Sequence, residues 1–294
     1  MISYAQNFED IILERFFKDK INGFYVDVGA AKPTLDSVTK HFYEKGWTGI
    51  NIEPSTFFYN ELVLERKRDI CLNISISNIE GSIEFYDLPN TGLSSTNEEI
   101  VQSAFAGNNI YDYDGNKIDA FEKCIIQSKR LESVFEQYAK NIEIDFLKID
   151  VEGTERNVIE SNNWNIYRPK VLVIEATIPN SQEKNHKDWE HILIEANYTF
   201  VYFDGLNRFY LRNDQMDNKS IFSYPPCFFD NFILYSEVYK QVQIGELLGK
   251  NNVIQQQYQV VTQTLNSIKH SYSWRLTLPL RLIERKLKDL LKNG

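Results

Sequence analysis

The sequence predicts an α/β fold: a mostly parallel sheet of about seven strands with interleaved helices, closing on a hairpin and followed by a long helical extension. Three observations predict it. Short apolar or β-branched runs alternate with stretches of helical periodicity between residues 24 and 211. Two of these runs stop at Gly29 and at Pro54, as buried strands do when they turn toward a helix. After about Glu237 the pattern changes to apolar positions spaced alternately three and four apart.

Taken in order, Ser3 is expected to cap a helix whose apolar face is Phe8, Ile11, Ile12 and Phe16. Gly23 to Gly29 reads as a short buried strand ending in a glycine turn, and a helix over about Leu35–Lys45 is broken by Gly46. Thr48 to Pro54 is a second strand, Thr56–Arg66 a helix and Ile70–Ile76 a third strand. Ser82–Tyr86 alternates like an edge strand. Residues 88–120, rich in Asn, Ser, Thr, Gly and Asp, predict a long loop over the sheet. Regularity returns with a helix over Leu131–Ala139, a strand over Ile144–Ile149, a turn through Asp150-Val151-Glu152-Gly153 and a helix opened by Thr154. Lys170–Glu175 is a buried strand, Asp188–Ala196 a helix, and Tyr198–Phe203 with Asn207–Leu211 an antiparallel hairpin joined through Asp204-Gly205. Connections of this alternating kind are right-handed crossovers.

The 294 residues, 43% hydrophobic and 25% charged, suit a soluble chain with a sizeable core. A net charge of −9 argues against general nucleic-acid binding, which needs clustered Lys and Arg. Cys71, Cys124 and Cys227 lie far apart, so neither a zinc site nor a disulfide framework is indicated, and a reducing, cytoplasmic setting is expected. Met1–Phe17 lacks the basic start and apolar run of a signal peptide. No stretch reaches the roughly 20 apolar residues that span a bilayer.

Chemistry concentrates at the strand ends. Gly29 and Ala30 follow the first strand, where a glycine lets backbone approach a ligand, and Glu53 ends the second, where a carboxylate can accept both hydroxyls of a ribose. This pair suits any adenosine cofactor, and equally a plain turn beside a solvated glutamate. A dinucleotide fold wants G-x-G-x-x-G, whereas Gly29-Ala30-Ala31-Lys32-Pro33-Thr34 lacks the second and third glycines. Asp27, two residues before Gly29, would repel a pyrophosphate and attract a cationic amino-acid moiety. S-adenosylmethionine, with its ammonium and sulfonium, fits better than a nicotinamide cofactor.

The chain resembles the FkbM family of S-adenosylmethionine-dependent methyltransferases. The likeness is carried by Ser3 to Asp10 (Ser-Tyr-Ala-Gln-Asn-Phe-Glu-Asp), Phe24 to Ala30, Ile52-Glu53-Pro54 and Phe146 to Gly153, with weaker matches at Ile74–Ser77, Gly92–Ser95 and Asp204–Tyr210. It spans about residues 1–236, and departs from the family pattern where Ala31-Lys32-Pro33 follows Ala30. The resemblance implies a class I methyltransferase, Rossmann-like sheet of seven strands with the last antiparallel. It implies a cofactor across Asp27, Gly29, Ala30, Glu53 and Pro54, with Ser75 and Ile76 near the adenine, and Asp150 near the methyl group. It further implies O-methylation of a sugar or glycan, in bacterial surface-polysaccharide biosynthesis.

A sugar hydroxyl must lose its proton, so a general base helps; Asp150 is the candidate, with Lys148, Glu152 and Glu175 as neighbours. Asp150 alternatively caps the next helix or orients the cofactor's amine. Gln6, Glu9 and Asp10 are candidates to close over the cofactor; alternatively Glu9 and Asp10 are solvated charges in a helix's first turns. Asp150 and Glu175 could ligate a hard cation, but no third ligand is visible, so no metal is expected. His186 follows the fifth strand and is within conceivable reach; His191 reads as packing or surface. Tyr111 and Tyr113 in the long loop are candidates to line an acceptor site, the loop itself being an acceptor lid, while Phe57 and Phe58 read as packing.

Three regions result: a catalytic domain over 1–236, a coiled-coil helix over 237–270 and a basic amphipathic tail over 271–294. Ile244, Leu247, Asn251, Ile254, Tyr258, Val261, Leu265, Ile268 and Tyr272 form the heptad seam, with Asn251 at an a position, so a homo-oligomer is expected. Six Lys/Arg against Glu284 and Asp289 give the tail a net charge of +4, and Leu280, Ile283, Leu287, Leu290 and Leu291 share one face, so contact with the inner face of an anionic membrane is expected. Two other readings compete: a nicotinamide-dependent oxidoreductase, and an inactive methyltransferase-fold scaffold organised by its coiled coil.

Overall fold

Runs such as Phe-Tyr-Val-Asp-Val and Val-Leu-Val-Ile-Glu are strand formers because apolar and β-branched side chains pack on both faces of a pleated, buried ribbon. In the computed structural model they build one seven-stranded sheet. Its strands are β1 (Phe24–Val28), β2 (Thr48–Ile52), β3 (Ile70–Leu72), β4 (Phe146–Ile149), β5 (Val171–Glu175), β6 (Tyr198–Phe203) and β7 (Asn207–Arg212). The order is β3-β2-β1-β4-β5-β7-β6, with β7 antiparallel to both β5 and β6 and the other pairings parallel. Residues 1–106, 109–179 and 181–292 are described, without the side chains of 290–292. Gly107 and Asn108 of the expected loop, Asn293 and Gly294 of the tail, and the Leu290 and Leu291 side chains therefore lie outside the described residues.

Period-two alternation sends the strands' residues to two cores. Val26, Val28, Ile50, Ile52, Leu147, Ile149, Leu172 and Ile174 pack against Leu131, Val134, Phe135, Val158 and Ile159 on one face. Tyr25, Phe146, Val171, Val173 and Phe209 pack against Ile12, Leu13, Phe17, Phe42 and Trp47 on the other. The chain leaves β1 for β2 on one side and returns to β4 on the other. That reversal opens a crevice beyond the carboxyl ends of β1 and β4, where ligands bind in open α/β sheets.

Several expectations are corrected. Ser3 does not cap a helix: it lies in a short strand, Ile2–Ser3, parallel to Ile233–Leu234, and its hydroxyl donates to Asp10, 2.7 Å away. The helix there spans Glu9–Phe16. The helix expected over 35–45 is only Lys40–Glu44, because buried Arg66 holds the Pro33 carbonyl and the Ser37 hydroxyl, and Asp36 takes a left-handed φ of 61°. The third strand stops at Leu72, where the Asn73 amide donates to the carbonyls of Glu53 and Pro54. Ser75–Ile76 passes into a second sheet with Glu122–Lys129 and Gly81–Asp87, the Glu122–Lys129 strand being unforeseen. The expected loop contains a helix, Glu98–Phe105, and a small hairpin, Ile110–Tyr111 with Lys117–Ile118.

The chain divides into two units, Met1–Tyr235 and Ser236–Gly294. In the second, one helix spans Tyr235–His270 and carries the heptad positions from Ile244 to Ile268. Tyr272 falls beyond its end, since Ser271 interrupts the helix and caps the next, Tyr272–Leu276, which is followed by Leu278–Lys292. No helix among the described residues is long and apolar enough to cross a membrane.

Candidate active site

The turn after β1 is shaped by contact with β4. Gly29 has a φ of 78°, and a Cβ built on it would lie 1.7 Å from the Asp150 carbonyl oxygen. Only glycine fits there. The turn's amides are already used. The N–H groups of Gly29 and Ala30 both donate to the Ile52 carbonyl, at 3.0 and 3.2 Å, and that of Ala31 donates to Glu53 Oε2 at 2.8 Å. No helix begins until Lys40. The backbone therefore offers neither a row of free amides nor a helix N-terminus, the two features that seat a pyrophosphate.

Glu53 ends β2 and is 5% exposed. Its carboxylate accepts one backbone N–H per oxygen, from Ala31 and from Ser55 at 2.7 Å. Each oxygen thus keeps a lone pair for the cleft. Burial pushes its pKa up to about 7, although those two amides pull it down. Pro54, Ser75, Ile76 and Phe58 continue the same wall.

Across the cleft, Lys148 on β4 reaches under the turn. Its ammonium donates to the Gly29 carbonyl at 2.9 Å and lies 3.5 Å from Asp27 Oδ1 and 3.3 Å from Asp150 Oδ2. Burial alone would lower its pKa, but the attraction of Asp150 and Asp27 outweighs burial and raises it. Asp150 is not a helix cap. The helix begins at Glu155 with Thr154 at its N-cap and no side chain capping it, while the Glu155 carboxylate braces the turn before it by accepting the N–H groups of Gly153 and Val151. Asp150 is left facing the cleft beside Glu152. Burial, then the charges of Asp150, Glu152 and Glu155, hold the carboxyl of Glu175 protonated, with its pKa raised to about 11. In that state it can donate a hydrogen bond to Asp150.

Residues 91–96 close the front. Ser95 exchanges backbone hydrogen bonds with Tyr86, and its hydroxyl donates to the Glu152 carbonyl at 3.0 Å. Ser94 and Ser55 both donate to Asp87, which ties this wall to the one carrying Glu53. Tyr113 caps the opening, with the Lys32 ammonium 4.0 Å from its ring centroid. The space between these walls, open solvent at the mouth included, is about 1030 Å³.

The structure brings Gly29, Ala30, Glu53, Pro54, Ser75, Ile76, Lys148 and Asp150 to one cleft, with Gln6. Three named residues stand off it. Asp27 is 1% exposed and on the opposite face of β1 from Val28, where it meets Lys148 and accepts from Thr39. It acts on the site through Lys148. Glu9 is buried against the hairpin, accepting from Asn207 and from the Asn7 N–H, and burial lifts its pKa to about 8. Glu175 is buried behind Asp150. Asp10 accepts from Ser3, Tyr4 and Ala5 and so braces the N-terminal segment. His186 packs beside Glu190 and Trp189 rather than in the cleft, and Tyr111 is exposed outside it.

Sequence reasoning missed Asp36, which lines the cleft, and Arg66, whose guanidinium links Pro33, Ser37 and Tyr25 beneath the turn. Arg66 follows the helix Thr56–Glu65 directly and is flanked by Glu65, Lys67 and Arg68, so nothing in the sequence singles it out. Among the described residues no group of three or more His, Cys, Asp or Glu is arranged to hold a metal.

A search of curated proteins finds no significant match to this sequence. A family model, that of the methyltransferase FkbM domain, matches residues 27–201, which include the end of β1, all of β2, β4 and β5, and every cleft residue from Val28 to Thr154. That match covers more than half of the chain. With its seven-stranded mixed sheet and its crevice at the β1–β4 reversal, the chain belongs to the FkbM methyltransferase family.

Proposed function

We propose that the chain transfers the methyl group of S-adenosylmethionine to a hydroxyl of a sugar or glycan, in surface-polysaccharide biosynthesis. The observation that carries the cofactor assignment is the turn after β1. All three of its amides are committed internally, while a buried carboxylate, Glu53, faces the cleft beside it. A nicotinamide dinucleotide would need those amides for its pyrophosphate. A cationic adenosyl ligand needs instead a ribose clamp and nearby negative charge, for which Glu53 and Asp150 line the cleft.

When bound, S-adenosylmethionine supplies a methyl carbon already activated by its sulfonium. The chain's own residues position the partners and move a proton. Glu53 would hold the ribose hydroxyls, with Ser75 and Ile76 beside the adenine. Asp150, fixed by Lys148, accepts the proton of the acceptor hydroxyl as the new C–O bond forms. Tyr113 offers an aromatic face at the mouth for a sugar ring, and residues 91–96 keep water from the reacting atoms.

Isothermal titration tests the cofactor, and turnover tests the base. Glu53→Ala should weaken S-adenosylmethionine binding by roughly 100-fold or more, as two hydrogen bonds to a charged group, about 1.5–3 kcal/mol each, are lost. Asp150→Asn should lower turnover by about 10²–10⁴ while leaving that affinity within a few-fold. Unchanged affinity in Glu53→Ala, or tight binding of a nicotinamide dinucleotide, would overturn the assignment.

A further inference from the structure

Charge is divided unevenly along this chain. The whole carries −9 and residues 271–294 carry +4, which leaves −13 for residues 1–270. The basic segment folds as two short helices, Tyr272–Leu276 and Leu278–Lys292, with Pro279 in the first turn of the second, where its missing N–H is tolerated. Leu280, Ile283 and Leu287 of the second helix follow one another three and four residues apart, which stacks them in one stripe, and Leu276 ends the first helix. All four are more than half exposed. Arg281, Arg285 and Lys288 fall on the other side of the same helix. Trp274 stands at its start with the Arg281 guanidinium 3.8 Å from the ring centroid, an amphipathic ring beside a cation.

We propose that Tyr272–Lys292 is a membrane-surface element that lies in the plane of an anionic bilayer. Length decides between lying and crossing. The 15-residue helix is about 22 Å long, short of the ~30 Å hydrocarbon core, and it carries five Lys and Arg residues against Glu284 and Asp289. Charge decides the occupant. A second copy would bring +4 against +4, and a neutral bilayer would offer no counter-charge to the net +4. Anionic headgroups satisfy both faces at once, the acyl boundary taking Leu280, Ile283 and Leu287 and the headgroups taking Arg281, Arg285 and Lys288. This inference does not depend on the methyltransferase reading.

The test is sedimentation of the full chain with vesicles of phosphatidylcholine alone or mixed with phosphatidylglycerol. Each basic residue near an anionic surface is worth about fivefold in partitioning, so the preference for the mixed vesicles should reach several hundredfold at low salt and fall as salt rises. Arg285→Gln with Lys288→Gln should cut it about 30-fold. Ile283→Glu with Leu287→Glu should abolish binding, with the thermal transition of the folded domain unchanged as the control for folding. Equal sedimentation with both vesicle types overturns the proposal. So does a chain that ignores vesicles but changes mass in the Ile283→Glu, Leu287→Glu variant, which would mean that a second copy covers the stripe. Low-salt binding of the isolated tail to residues 1–235 in preference to vesicles would overturn it as well.

Discussion

Replacing Lys148 by methionine isolates the most consequential ion cluster in the fold. The ammonium lies 3.5 Å from Asp27, 3.3 Å from Asp150 and 2.9 Å from the Gly29 carbonyl. Asp27 is 1% exposed, and its Oδ1 has no hydrogen-bond donor. Methionine matches the stem and removes the charge, so Asp27 would be left as a buried carboxylate without its counter-ion. Removing one partner of such a pair costs about 3–5 kcal/mol. The cost should depend on pH. Burial already raises the pKa of Asp27, and Lys148 is the foremost opposing influence. Without Lys148 the carboxyl is expected to take up a proton in mild acid and so escape most of the penalty. Urea unfolding at pH 8 should show the full loss, and at pH 5.5 a markedly smaller one. Asp27→Asn in the same background should restore most of the stability at pH 8. A loss below about 1 kcal/mol at pH 8 would refute the idea that Lys148 is the counter-ion of the turn. A loss that the Asp27→Asn partner does not relieve would do the same.

Two further outcomes follow from the same geometry. Gly29→Ala combines a left-handed φ of 78° with a Cβ 1.7 Å from the Asp150 carbonyl oxygen, and should destabilise by roughly 3 kcal/mol or more in thermal unfolding. Gly115→Ala, at a φ of 83° with open space around it, should lose only about 1 kcal/mol, and equal losses would remove the close-approach argument. The ligand-free protein should also be more stable at pH 5.5 than at pH 8. Burial raises the folded-state pKa of Glu53 and Glu155 to about 7 and of Glu9 to about 8, so the folded state keeps protons that the unfolded chain has released above pH 4.5. Raising the pH through 7–8 strips them. For Glu53 alone the shift from 4.5 to about 7 corresponds to roughly 3 kcal/mol. His186, lowered by burial, works in the opposite sense but is a single group. Denaturant midpoints that rise from pH 5.5 to 8 would refute the sign.

The sheet was legible because β1, β4 and β5 are buried on both faces and must be apolar, and because Asp204-Gly205 marks its hairpin. The missed strand, Glu122–Lys129, has mostly exposed side chains, so no burial pattern marks it in the sequence. The third strand and the 35–45 helix were overread for one reason. A single side chain, Asn73 in one case and Arg66 in the other, takes over backbone groups that periodicity alone assigns to regular structure. At the site, Gly29 and Glu53 were readable as strand-end positions. Asp27 was read as touching the cofactor, yet strand parity already separates it from Val26 and Val28 and puts it with Tyr25. Its register partner across β4 is Lys148, a pairing that becomes visible only once the strands are aligned. Glu9 and Glu175 needed tertiary partners that no spacing in the sequence reveals.

The acid content of the crevice has its own bearing on the ligand. Asp36, Glu53, Asp150 and Glu152 line it, with Glu155 and Glu175 buried just behind, and among the described lining residues Lys148 is the one cation. Folding gains nothing from this imbalance. Buried carboxylates with raised pKa values weaken the native state as they ionise, and apolar side chains of the same volume would serve the packing better. The arrangement makes sense only if something positive completes it. A dinucleotide would bring two more negative charges into the same space, beside amides already committed to Ile52 and Glu53. A sulfonium and an ammonium would instead favour the ionised form of carboxyls that burial otherwise pushes toward protonation. This acid content supports the cationic cofactor proposed above on grounds separate from the family match.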